Sequence, residues 1–370
     1  MSKLFPSSEI KSIFEQNLSL IDVRAPVEFA QGHLPNAINL PILNDEERAQ
    51  VGTLYKQQGN EAAVKLGHQL ISGSIKELRV NAWLEFIRAN PKTLIYCFRG
   101  GQRSGITQDW ISEAGFDLPR LEGGYKAARR YLLKLIEDFS TREFLLISGL
   151  TGSGKTRLLL EAKEFCPVLD LENLANHRGS AFGGTDTEQP SQANFENNLA
   201  VAILNLQKVV PSHRILLEDE SHTIGRCIVP LSLYKAMQNS EAIWMDEPLE
   251  SRVENIYEEY ILNSHIGIAT KSGKPADKLN ATELFARYKS SLQKISRKLG
   301  GDRTTELMSQ IDLSVKAFHE SNSLVENKVW IEKLLTYYYD PLYLNNFKRR
   351  NIKVRLSLSR IDCLHYLKSL

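Results

Sequence analysis

The sequence predicts an α/β protein of more than one domain, and three observations predict it. Short apolar runs of strand length alternate with stretches of helical apolar spacing. Two of those runs, "TLIYC" at 93–97 and "FLLISG" at 144–149, empty into glycine-containing loops followed by helix-like stretches. Strand ends of that kind are where open α/β sheets bind ligands. A chain of 370 residues is also too long for one ordinary core.

Composition narrows the class. The chain is 42% hydrophobic and 24% charged, as in a soluble globular protein, with a net charge of +2. It has no apolar run of about 18 residues, so no membrane helix is expected. The first residues lack an apolar signal region, which gives a cytoplasmic expectation. Cys97, Cys166, Cys227 and Cys363 are scattered and form no CxxC pair. A zinc site or disulfide framework is therefore not expected, and no metal ligand set is assigned.

In chain order, "LIDV" reads as a strand, "PVEF" as a helix opening on Pro, and "AINLP" as a second strand. Residues 45–90 carry helical i, i+3, i+4 spacing. "TLIYC" is the next strand, and "ISEAGFDLPRLEGGYKAARRYL" returns with a short strand, a Gly pair and a helix. "PSQANFENNLAVAILNLQK" (190–208) reads as helical, as do "PLESRVENIYEEYI" and "ATELFARYKSSLQKISRKLGG" beyond residue 248.

The first reactive candidate is Cys97, which opens "CFRGGQRS". Arg99 and Arg103 flank it, and a helix start follows. Cationic groups and free N–H groups at a helix N-terminus favour a thiolate and hold anions. The second is "GLTGSGKT", where Gly149, Gly154, Lys155 and Thr156 fit G-x-x-x-x-G-K-[ST] between a strand and a helix, with Gly152 between them. Such a loop wraps phosphate oxygens in backbone N–H groups, its lysine adds charge, and the Thr hydroxyl suits Mg²⁺.

A phosphate loop of this kind usually draws an acid from another strand end. "RILLEDES" offers Asp219 first and Glu218 next, and "AIWMDEP" offers Asp246. The stretch "LDLENLANHRGSAFGG" places His177, Arg178 and Ser180 in a loop after a short strand, a position suited to substrate contact. From 345 to 370 the chain carries seven Lys/Arg, including Lys348, Arg349 and Arg350, against one acid, Asp362. "YYYDPLY" lies just before. A basic block beside aromatics suits nucleic-acid backbone and base stacking.

These residues carry resemblances. "DVRAPVEFAQGHLPNAINLP" and "CFRGGQRS" resemble the entry signature and active-site loop of the rhodanese family. The resemblance implies a persulfide-type intermediate on Cys97 and a bracing role for Asp22, Arg24, Glu28 and His33. The C-x5-R spacing, one longer than in common sulfurtransferases, resembles that of the related cell-cycle phosphatases and implies a donor bearing a phosphate-like group. Together with "ISGLTGSGKT", "LDLENLANHRGSAFG", "LLEDESHTIG" and "YYYDPLY", the whole chain resembles the tRNA 2-selenouridine synthase family.

That resemblance implies a rhodanese-like domain (1–135), a P-loop NTPase-like α/β domain (136–300) and a helical basic C-terminal region (301–370). It implies a tRNA bearing wobble 2-thiouridine as substrate, with selenophosphate and geranyl diphosphate as co-substrates. A selenophosphate-producing enzyme is implied as a partner. An ATP-coupled rhodanese-type tRNA sulfurtransferase is the alternative.

Overall fold

The computed structural model describes residues 3–178, 182, 187–209, 214–264 and 278–370. The chain divides into two compact units, residues 1–140 with 190–209, and residues 141–189 with 210–370. Among the described residues no helix is long and apolar enough to cross a membrane.

The first unit begins with β1 (Leu4–Phe5), α1 (Ile10–Glu15), β2 (Ser19–Asp22), α2 (Pro26–Gln31) and β3 (Ala37–Asn39). Next come α3 (Asp45–Leu70), α4 (Gly73–Ala89), β4 (Thr93–Tyr96), α5 (Gln102–Glu113), β5 (Arg120–Leu121) and α6 (Gly124–Phe139). Its five strands form a parallel sheet in the order β1-β5-β4-β2-β3. The central strands β2 and β4 are buried almost throughout because helices cover the sheet, and Ile21, Ile95, Trp83 and Ile111 are fully buried in one cluster. Cys97 follows the last residue of the central strand β4.

The second unit contains β6 (Phe144–Gly149), α7 (Lys155–Ala162), β7 (Val168–Leu169), α8 (Leu171–Ala175), β8 (Ile215–Glu218) and the hairpin Thr223–Ile224/Cys227–Ile228. These are followed by helix Leu231–Gln238, strand Glu241–Met245 and helix Leu249–Ile256. The sheet is again parallel and five-stranded, with β6 at its centre between the 241–245 strand and β8. A helical layer follows, in which Tyr288, Phe318 and Trp330 share one apolar cluster.

Two elements depart from the sequence expectation. The helix Gln192–Val209, expected within the 136–300 domain, belongs to the first unit. It is fastened there by polar groups: Asn194 Oδ1 accepts from the His33 amide at 2.8 Å, and Asn197 Oδ1 accepts from Arg129 at 2.9 Å. The 301–370 region is also not wholly helical. Residues Lys353–Leu358 form a parallel edge strand on 241–245, and the final helix, Arg360–Lys368, packs against α7. "KVRLSL" carries the period-2 alternation of such a strand, inside a block read for its charge.

Asp22 and Arg24 brace the first sheet. Both are buried, with Arg24 Nη2 2.6 Å from Asp22 Oδ2 and donating to the Gly32 carbonyl at 2.7 Å. Removing one partner strands a buried charge. Asp22→Ala is expected to lose about 3–5 kcal/mol in denaturant unfolding, and an unchanged unfolding midpoint would contradict that role.

Candidate active site

The loop after β4 is shaped by close backbone approach. Tyr125 and Lys126 donate their amides to the carbonyls of Cys97 and Phe98, each at 2.9 Å. A Cβ at Gly124 would lie 2.3 Å from the Cys97 carbonyl oxygen, and Gly124 has φ +56°. Only glycine fits there, so the "EGG" turn at 122–124 is part of the site. Helix α5 starts at Gln102, and its N-cap, Gly101, offers no capping side chain. The first N–H groups of a 12-residue helix therefore face the loop with the positive end of the helix dipole.

Cys97 is 4% exposed, and its Sγ lies 3.2 Å from Ser104 Oγ. Arg99 is exposed beside Phe98. Arg103 binds Glu28 through two hydrogen bonds, 2.5 and 3.0 Å, and Arg48 lies 3.4 Å from the same carboxylate. Burial raises the pKa of Glu28, but hydrogen bonds from Arg103 and the Ala25 amide, with the charges of Arg103 and Arg48, outweigh it and hold the carboxyl below its usual value. Glu28 thus braces the cysteine loop through its arginine, in keeping with the bracing role the sequence led us to expect. The other thiols differ. Burial raises Cys166 and Cys227, and pushes Cys363 up to about 12, which makes them poor nucleophiles.

In the second unit the loop after β6 turns on Gly149, Gly152 and Gly154, all with positive φ. A Cβ at Gly152 would lie 2.7 Å from the Arg252 carbonyl oxygen. Lys155 donates to the Gly149 carbonyl at 2.9 Å and lies 3.7 Å from Glu218. Thr156 donates to Glu218 at 3.0 Å. Ser153 Oγ is buried without a hydrogen-bond partner, an orphan donor that a phosphate oxygen would satisfy.

Asp219, the first choice from sequence, is corrected here. Its carboxylate is committed to Arg350 (2.5 and 3.0 Å), Tyr343 (2.8 Å) and Ser148 (3.0 Å). Glu218 is the acid that meets Thr156. Arg350 is corrected with it, because its guanidinium braces the sheet and does not stand ready for tRNA phosphate. Of the seven C-terminal cations, Arg350, Lys353, Arg355 and Arg360 sit in ion pairs, whereas Lys348 and Arg349 are exposed. Asp246, the other acid considered, does not line this site.

Several contributors were not placed at this loop by the sequence. Tyr343, from "YYYDPLY", also accepts from the Gly149 amide at 3.2 Å. Asp340 of the same motif takes both Arg252 nitrogens at 2.8 and 2.9 Å, and Arg252 also donates to the Thr151 carbonyl. Glu172 and Glu220 join Glu218 in a carboxylate trio with oxygens within 4.8 Å of one another. Arg178 reaches the same cavity, of about 560 Å³, and pairs with Glu259 at 3.3 Å. His177 does not line that cavity, and burial lowers its pKa. Ser180 lies outside the described residues.

Burial first, then mutual repulsion, pushes Glu172 up to about 10 and Glu220 up to about 8; burial also raises Glu218. Such a trio beside a Thr hydroxyl suits a hard divalent cation with oxygen ligands. Glu172, Glu218, Glu220 and Thr156 are the residues that would hold Mg²⁺, which would supply positive charge for a diphosphate.

The relatives give this geometry a family. Residues 142–370 match the family described as "tRNA 2-selenouridine synthase AAA domain", and residues 7–130 match "Rhodanese-like domain". The chain belongs to the tRNA 2-selenouridine synthase family. A protein of that name from Bdellovibrio bacteriovorus is 52% identical over 98% of this chain and 97% of its own. Others from Nitrosomonas europaea and Pseudomonas savastanoi are 48% and 41% identical, with the same coverage. The family thus joins a cysteine-loop unit to a phosphate-loop unit in one chain.

The acid trio sets a pH dependence. A carboxyl whose folded pKa lies above its unfolded value of 4.5 favours folding below 4.5 and loses that contribution as pH rises to the folded value. The ligand-free protein should therefore lose stability as pH climbs from about 4.5 towards about 8 through Glu220, and on towards about 10 through Glu172. Thermal midpoints should fall along this range, recover with Mg²⁺, and fall less in Glu220→Gln. A wild-type profile that is flat and insensitive to Mg²⁺ would contradict it.

Proposed function

We propose that the protein replaces sulfur by selenium on wobble 2-thiouridine of tRNA, through an S-geranylated intermediate. The observation that carries the proposal is the presence of two anion cradles in one chain. Each is a helix start without a side-chain cap, one beside Cys97 and one beside Lys155 and the acid trio. The first suits the tetrahedral anion of selenophosphate, and the second suits the diphosphate of geranyl diphosphate. The names of the relatives agree with the overall reaction.

The steps balance as follows. The thiocarbonyl sulfur attacks C1 of the geranyl group, the C–O bond breaks, and diphosphate leaves into the phosphate loop. Backbone N–H groups and Lys155 meet its growing negative charge without reorganising. Alkylation turns the sulfur into a thiol leaving group.

Selenium in selenophosphate already stands at the selenide level, so a Cys–S–Se carrier made from it would need a two-electron oxidant. Neither co-substrate is one. Attack of the Cys97 thiolate on phosphorus needs none: the S–P bond forms, the P–Se bond breaks, and selenium leaves as hydrogen selenide with a proton from water. Selenide bonds to C2 of the base and passes its proton to the ring nitrogen. The C2–S bond breaks, and geranylthiolate takes a proton from solvent. Water then releases phosphate from Cys97. This redox-neutral route takes the place of the persulfide-type intermediate that the rhodanese resemblance implies. Arg103, exchanging Glu28 for the donor, and Ser104, beside Sγ, hold the ends of the reacting bond.

The tRNA would meet exposed cations such as Lys348 and Arg349, and a selenophosphate-producing enzyme would supply the donor in the cytoplasm. Nucleoside mass spectrometry of 2-thiouridine tRNA incubated with the pure protein tests the reading. Selenouridine is expected only when selenophosphate and geranyl diphosphate are both present, without ATP. An ATP requirement, or a product that gains sulfur, would overturn it in favour of an ATP-coupled sulfurtransferase.

A further inference from the structure

The first unit contains a cavity of about 620 Å³ whose apolar part the chemistry above does not use. Its wall is mainly apolar and includes Ile42, Leu43, Val51, Val64, Ile106 and Trp110. This size and lining are those of a small-molecule site, where roughly 300–1,000 Å³ is usual. One side of the cavity is α3, a 26-residue helical stretch broken at Gly59 (φ +84°), with only Glu47 and Ala63 buried along it. Val51 and Val64 are only half-buried: both line the hollow, and Val51 also packs against the neighbouring core cluster.

The cavity adjoins the cysteine loop. Gln102 and Arg103, the first residues of α5, line it, as do Glu28 and Arg48. Ile42, Leu43 and Trp110 also belong to the cluster that contains Cys97. An occupant must therefore pair an apolar body with a polar end beside an anion-binding loop.

We infer that this cavity takes the ten-carbon geranyl chain of the S-geranylated base while selenium displaces it at the cysteine loop. The inference rests on the function proposed above and adds a second prenyl-binding place, separate from the phosphate loop that receives the diphosphate. Two complementarities support the occupant. An unfunctionalised branched chain satisfies an apolar wall that would leave polar groups unpaired. At the rim Arg48 and Arg103 share the single carboxylate of Glu28, which leaves a net positive charge suited to the anionic donor that must sit beside the breaking C2–S bond. Holding the chain here places C2 at the cysteine loop, and the displaced thiol leaves from an apolar site.

The test uses the full chain with Val64→Trp, which fills the hollow, and two tRNA substrates, S-geranyl-2-thiouridine and S-methyl-2-thiouridine. Val64→Trp should raise KM for the S-geranyl tRNA by about tenfold, as lost apolar burial requires, with little change for the S-methyl form. Prenylation of 2-thiouridine tRNA should persist and so report an intact fold. Loss confined to the geranyl form supports the cavity; equal effects on both forms, or none, overturn it.

Calorimetry with geraniol separates this inference from its parent. Saturable binding in wild type that Val64→Trp abolishes supports a prenyl site, even if S-geranyl tRNA proves not to be a substrate and the parent reading falls. Absence of saturable binding overturns the site, even if that tRNA is converted.

Discussion

Both sites depend on leaving backbone N–H groups unsatisfied at a helix start. An uncapped helix end is costly unless something accepts from it, and in each unit the structure provides no capping side chain at Gly101 or Gly154. The rest of each site follows from keeping that opening clear. Gly100 and Gly124 let the 122–124 turn press against the cysteine loop, where any Cβ would strike backbone atoms. Gly149 and Gly152 let the 241–245 strand and Arg252 do the same around the phosphate loop. Central parallel strands carry both loops, so each opening stands at the middle of its sheet.

The cations around these openings are paired in advance. Arg103 holds Glu28, and Lys155 lies against Glu218 and two loop carbonyls. An incoming anion must exchange with these partners, which disfavours weakly charged ligands and favours those that bring several acceptor oxygens. The carboxylate trio sets the opposite condition. It resists ionisation without a cation, so the phosphate-loop site is balanced for an anion and a cation arriving together.

Much of this was legible in the sequence because it is local. A glycine loop between a strand and a helix has a fixed spacing, and both loops stand where that spacing put them. Contacts between distant segments were not legible. Nothing in "LEDES" distinguishes Glu218 from Asp219; the choice is made by Arg350 and Tyr343, more than 120 residues away. Arg252 and Asp340 bracing Thr151, and Glu172 joining Glu218, are of the same kind. The 192–209 helix was placed by chain order, whereas Asn194 and Asn197 fasten it to the first unit. The basic block was read as free charge, though four of its cations sit in ion pairs.

The central claim is that the two cradles serve separate chemical steps. The most direct measurement compares Cys97→Ser and Lys155→Ala on 2-thiouridine tRNA and on pre-geranylated tRNA, with products read by nucleoside mass spectrometry. The account predicts a crossover. Cys97→Ser geranylates but does not introduce selenium, while Lys155→Ala fails to geranylate but still converts the geranylated tRNA to the selenouridine form. Loss of both steps in both variants would contradict it.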